Sequence, residues 1–146
     1  MLILKLMEKI EFFSEFSDDE KLIFVDSGSF FKNYEKDEYI IKEGVKDDCS
    51  LFILLKGKVT ISKKEFPNMV LGVLEKGDII GEASFLSRHP RTASAVAQED
   101  VTVFKVEKNS MAGLDCPLQL KIKDQLFEIL IHRMNSTNNA MLSMLK

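Results

Sequence analysis

The chain is 146 residues long, 45% hydrophobic and 29% charged, with a net charge of −3. That length sets a single domain with room for a real core, and that composition excludes a disordered or low-complexity chain. The lack of a basic field counts against nucleic acid as a partner, and no run approaches the roughly 20 consecutive apolar residues of a membrane span.

Leu2, Ile3, Leu6, Met7, Ile10 and Phe13 share one helical face, which predicts an amphipathic first helix. Charges interrupt the apolar run early and no basic leader precedes it, so it does not read as a signal peptide. Ser17-Asp18-Asp19-Glu20 is a capping box: serine caps the helix and glutamate returns the bond. It starts a second helix that runs to about Asp26, with Leu22, Ile23 and Phe24 on its apolar side, and Ser27-Gly28 ends it.

From Ser29 to Val106 the rhythm changes to short β-rich runs. The predicted strands are Ser29–Tyr34, Glu38–Lys42, Ser50–Leu55, Lys58–Lys63, Met69–Leu74, Ala93–Ala97 and Val101–Glu107. Lys36-Asp37, Lys46-Asp47-Asp48, Lys56-Gly57, Phe66-Pro67-Asn68 and Gln98-Glu99-Asp100 break them. Strands this short and evenly spaced predict an antiparallel sandwich or barrel. After Val106 a short helix over Lys108–Met111 is expected to end at Gly113, and Pro117 sits near the start of a longer helix, where proline is tolerated. Ile122, Leu126, Ile129, Leu130 and Met134 form its apolar stripe. Asn135-Ser136-Thr137-Asn138-Asn139 is a run of weak helix formers, so a break is expected there before a Met-rich tail over 140–146. Such a tail suits an adaptable contact surface.

Chemistry concentrates in Gly77–Ala97. A Gly77-Asp78 turn leads through Ile79 and Ile80 to Gly81, and a short helical segment follows over Glu82–Leu86. Pro90 stops it, and Arg91 opens the next strand. The first N–H groups of a helix lack internal partners and face an anion favourably. Arg91 supplies a planar, permanently charged fork suited to phosphate. Glu82, an acid beside an anion site, makes sense as an acceptor for ligand hydroxyls, as in dinucleotide folds.

Gly81-Glu82-Ala83 through Pro90-Arg91-Thr92-Ala93, together with Gly44, Gly57 and Gly77-Asp78, resembles the phosphate-binding cassette and recurring turns of cyclic-nucleotide-binding domains. That family includes the bacterial catabolite activator protein, the regulatory subunits of cAMP-dependent protein kinase, and cyclic-nucleotide-gated channels. The resemblance covers nearly the whole chain. It implies a mainly β fold: a jelly-roll-like antiparallel β-roll of about eight strands with flanking helices. Residues 1–146 would form one domain, with N-terminal helices over 1–28, the roll over 29–107, the cassette over 77–97 and C-terminal helices over 108–146. It implies that Glu82 binds a ribose 2′-hydroxyl and Arg91 the cyclic phosphate. Gly81, Glu82, Ala83, Thr92 and Ala93 would contribute near the phosphate and ribose, and Val59, Ile80 and Phe85 the apolar lining. Thr92 does not choose the base, so the ligand is cAMP or cGMP. The last long helix would lid the nucleotide or pair with its copy; ordinary packing onto the roll accounts for its apolar stripe equally well.

The function expected is a cytoplasmic receptor that couples ligand binding to movement of its terminal helices, with an effector protein or a second copy as partner. No membrane contact is expected. Nothing after Pro117 reads as two helices with a tight turn and a basic recognition helix, so no DNA binding is expected through this chain. No kinase signature is present, and Glu82 and Arg91 lack the nucleophile or metal cluster that catalysis needs; no catalytic residue, metal or cofactor is assigned. Cys49 and Cys116 have no metal-type spacing and read as reduced thiols, although sequence alone leaves a disulfide between them open. The alternative is a ligand-free β-roll interaction module acting through its helices, against which the intact Glu82–Arg91 pair counts. A metal cupin is disfavoured by having only two histidines, His89 and His132.

Overall fold

Ser17 caps as the sequence predicts. In the computed structural model, which describes residues 2–145, its hydroxyl accepts from the Glu20 amide at 3.2 Å and the Glu20 carboxylate accepts from the Ser17 amide at 2.9 Å. Helix α2 runs from Asp18 to Ser27 and ends at Gly28, whose φ of 71° is the left-handed conformation that glycine adopts without penalty. The helix before it is shorter than the periodicity predicts. Helix α1 spans Leu2–Glu8, Ile10 is extended, and a 3-10 turn follows over Glu11–Phe13. This bend lets the adjacent Phe12 and Phe13 both reach the core, at 0% and 1% exposure. Neighbours on one straight helix point about 100° apart.

Eight strands follow: β1 (Phe31–Tyr34), β2 (Tyr39–Ile41), β3 (Leu51–Lys56), β4 (Val59–Ser62), β5 (Gly72–Leu74), β6 (Ile79–Ile80), β7 (Ser94–Ala97) and β8 (Val101–Val106). They form two four-stranded sheets, ordered β1-β8-β3-β6 and β2-β7-β4-β5. Every pairing is antiparallel. The strand that periodicity did not name is β6: two residues are too few to show alternation, yet they close the edge of the first sheet against Phe52 and Ile53.

Strand β3 explains the layering. Its run Leu51–Leu55 is apolar throughout and wholly buried. Alternate residues of a strand face opposite sides of the sheet, and here each side has its own core. Leu51, Ile53 and Leu55 join the helices' cluster, whereas Phe52 and Leu54 face the interior of the roll with Val59, Ile80, Ala95 and Val103. The helix-side core is phenylalanine-rich. Phe104 of β8 lies 5.0 Å from Phe13 and 5.1 Å from Phe24, edge to face, and 5.5 Å from Phe30, stacked.

Three helices complete the fold: α3 (Glu82–Ser87), α4 (Lys108–Ala112) and α5 (Cys116–Met144). Asp115 caps α5 by accepting from the Leu118 amide at 2.9 Å, and Pro117 sits in its first turn. The break expected at 135–139 does not occur; α5 is one 29-residue helix. Weak helix formers cost only fractions of a kcal/mol each, and the Thr137 hydroxyl donates back to the Arg133 carbonyl within the helix. Leu118, Ile122 and Leu126 are the buried part of its stripe, Ile129 and Leu130 are half-buried, and Met134 is exposed. Among the described residues no helix is long and apolar enough to cross a membrane.

Candidate functional site

The site begins with one turn of backbone. Gly81 ends β6 and caps α3 at φ 84°. A Cβ there would lie 2.6 Å from Arg91 Nη1, 2.9 Å from Ile41 Cδ1 and 3.0 Å from the Ser50 carbonyl oxygen. The missing side chain therefore makes room for Arg91.

Arg91 is only 3% exposed. Its backbone is tied to the loop after β2, donating to Val45 at 3.0 Å and accepting from Gly44 at 2.7 Å. Nη1 donates to the Gly81 carbonyl at 3.1 Å and Nη2 to the Ser50 carbonyl at 2.6 Å. The one carboxylate near the guanidinium among the described residues is Asp48, at 3.5 Å from Nη2 and 39% exposed. Burial pushes the Asp48 carboxyl up, but hydrogen bonds from Ser50 and the Arg91 charge outweigh it and hold it below its usual range. Nε of Arg91 is buried with no partner among the described residues. A buried cation in this state is costly unless an anion completes its shell.

Beside it lies a cavity of about 260 Å³. Gly81, Glu82 and Ala83 line it from α3, Ile80 from β6, and Arg91, Thr92 and Ala93 from the approach to β7. Two residues expected in the lining are elsewhere. Val59 is fully buried in the roll's core; Ile61, two residues along β4, reaches the cavity instead. Phe85 turns away into the helix-side core and borders a second, apolar cavity of about 390 Å³ against α4 and α5. Ala83 faces the first cavity, and Phe85, two residues further and about 200° round the helix, is carried to the opposite side.

Glu82 is not free. Arg133 of α5 donates to its Oε1 at 2.9 Å, and Arg133 also lines the cavity. Sequence reasoning missed Arg133 because it lies 51 residues from Glu82 and α5 offered no readable register. Ile41, Leu74 and Ala95 were missed as well; they are inward residues of β2, β5 and β7, and alternation alone did not say which inward positions reach the cavity. Polar and apolar parts are thus separated: a cation buried at one wall, a carboxylate at the mouth, and aliphatic side chains from both sheets between them.

Residues 31–114, more than half of the chain, match the sequence profile of the cyclic nucleotide-binding domain. The chain belongs to that family. It is 33% identical over 82 residues to human cGMP-dependent protein kinase 2, covering 53% of this chain and 10% of the kinase. It is 27% identical over 111 residues to the CRP-like cAMP-activated global transcriptional regulator of Mycobacterium tuberculosis, covering 73% of this chain and 48% of the regulator. Its fold is similar to that of a cyclic nucleotide-binding domain from Methylobacillus flagellatus, with a TM-score of 0.72 and 27% identity over 96% of this chain and 80% of that one. The chain thus spans about a tenth of the kinase relative and about half of the regulator. The β-roll implied by the resemblance is the fold of this chain, and the module is a regulatory one.

Proposed function

We propose that this domain is a receptor for cAMP or cGMP. The observation that carries the reading is Arg91: a guanidinium locked by two carbonyls, buried beside a cavity, with one nitrogen unsatisfied. A cyclic phosphate is a small anion that would complete that shell by charge-assisted hydrogen bonds. The ribose 2′-hydroxyl would donate to Glu82, and the aliphatic walls would take the apolar faces of sugar and base. Family membership and the names of the relatives support the ligand class; binding, with no chemistry on the ligand, is the whole task of the site.

Output would pass through α5. A ribose hydroxyl competes with Arg133 for the Glu82 carboxylate, so ligand and helix share one acceptor. A ligand shifts such an equilibrium only by its difference in affinity between the two arrangements, and this shared carboxylate is where the difference would arise. The receiving partner would be an effector protein or a second copy of the chain.

Calorimetric titration of nucleotide-stripped protein with cAMP and with cGMP tests the reading. Saturable binding is expected, weakened about 100-fold or more in Arg91→Ala, since charge-assisted bonds to phosphate are the strong ones. Arg91 also holds Gly81 and Ser50, so Arg91→Lys is the check on folding: it keeps the charge, loses the fork, and is expected to bind weakly while unfolding cooperatively. Glu82→Ala should narrow the preference for the ribose over the 2′-deoxy ligand. A parent that binds neither nucleotide supports the ligand-free interaction module instead, a reading consistent with Glu82 already engaged by Arg133.

A further inference from the structure

The second cavity, of about 390 Å³, lies where α3, α4 and α5 meet. Small-molecule sites run to roughly 300–1,000 Å³. Helices α3 and α4 have only six and five residues, too few to interdigitate along α5, so the junction stays open. Phe85, Met111 and Leu126, one from each helix, line it as a floor and are 8%, 6% and 2% exposed. Leu86 and Phe127 stand at its rim, 57% and 64% exposed. Two lysines also line it, Lys108 of α4 and Lys123 of α5. Both are exposed, and neither makes an ion pair among the described residues. No aspartate or glutamate lines the cavity among the described residues, in a chain whose net charge is −3. The groove further round α5 has the opposite character, with Glu11, Glu15, Asp124 and Glu128 along it.

We propose that this cavity binds a free fatty acid of medium chain length. The carboxylate pairs with Lys108 and Lys123, and the alkyl chain lies against Phe85, Met111 and Leu126. The two lysines, with no carboxylate beside them, select an anionic head, which ammonium groups hold by charge-assisted hydrogen bonds. The interior selects a plain hydrocarbon tail. Gln119 is the one other polar side chain in the lining, and its amide is committed to the Leu114 carbonyl at 2.8 Å. A sugar or a base would therefore leave its own polar groups unpaired there, whereas each buried methylene strengthens binding about fourfold. Volume sets the length: at about 30 Å³ for a water-sized group, the cavity holds roughly a dozen such groups. A concave site with a buried floor admits one detached chain, whereas a membrane surface calls for an apolar face that can be laid into it. Helix α3 thus walls both cavities, with Ala83 towards the first and Phe85 towards the second. The second site neither uses nor requires a nucleotide.

Calorimetric titration of the full chain with hexanoate, octanoate and decanoate, each below its micelle concentration, tests the site, with nucleotide titration run separately. One molecule per chain is expected, and affinity should rise about fourfold per methylene. Acetate, a head without a tail, should not bind at the same concentrations. Lys108→Glu combined with Lys123→Glu should weaken decanoate about tenfold. Both lysines are exposed, so the thermal midpoint of the unliganded protein should hold. Ala112→Phe puts a ring into the cavity from an exposed position of α4 and should abolish decanoate binding. None of these three residues lines the first cavity, so their losses locate the ligand in the second. A parent without saturable decanoate binding overturns the proposal, as does binding that survives Ala112→Phe or an affinity that does not change with chain length. Decanoate held equally well by the double lysine variant overturns the pairing of its carboxylate.

Discussion

The two halves of α5 are held in opposite ways. The half from Cys116 to Leu126 is anchored at every turn: Asp115 caps it, Leu118, Ile122 and Leu126 are buried, and Lys121 donates to Glu20 of α2 at 2.8 Å. The half from Phe127 onwards makes one polar contact with the roll among the described residues, Arg133 to Glu82. An anchored half and a loosely held half make a pivot and an arm. The contact that holds the arm is the carboxylate that a ribose would need, so the weak point of the helix and the mouth of the cavity are the same place. Under the proposed reading, stability and response would be separated along a single element.

Leu126→Ala tests the anchored half and should have the largest effect. Truncating a buried leucine costs about 2–5 kcal/mol, to be read as a lowered urea midpoint with an unchanged slope; a shift under about 1 kcal/mol would show that the anchor is weaker than its burial implies. Gly81→Ala strikes the site without touching ligand. Its φ of 84° and the 2.6 Å approach to Arg91 Nη1 mean strain of about 1–3 kcal/mol or a displaced guanidinium, and nucleotide affinity should fall with it. Arg133→Ala should do the reverse. The pair is 41% and 30% exposed, so global stability should move by less than about 1 kcal/mol. Amide exchange over residues 128–137 should quicken, while that of 116–126 stays slow.

The smallest effect concerns pH. The hydrogen bond from Lys121, before any other influence, holds the Glu20 carboxyl below the usual glutamate range. A carboxylate with a depressed folded pKa stabilises above its unfolded pKa, and that contribution fades as pH falls through the depressed value. Glu20→Gln keeps a capping side chain but loses the charge pair. Parent and variant should therefore differ slightly in urea midpoint at pH 6, with the gap closing below about pH 4. A gap that widened on acidification would contradict the anchoring role given to this pair.

Local chemistry was legible in the sequence and long-range register was not. The capping box at Ser17, the stop at Gly28 and the start of α5 at Pro117 are decided within a few residues, and the pattern located them. Seven of the eight strands were also located, because alternation and turn residues act over short spans; their order in the two sheets was not. Val59 and Phe85 were placed in the lining by the family resemblance; which of several inward positions reaches a cavity depends on how two sheets are superposed. Arg133 was invisible for the same reason. The predicted break at 135–139 weighed each residue's propensity and ignored helix continuity on either side.

The most direct measurement is hydrogen exchange of the nucleotide-stripped domain, with and without saturating cAMP or cGMP. The account predicts that Gly77–Ala97 becomes protected and that exchange changes in α5 around Arg133, with the Cys116–Leu126 half unaffected. Saturation that leaves 77–97 unprotected would contradict it.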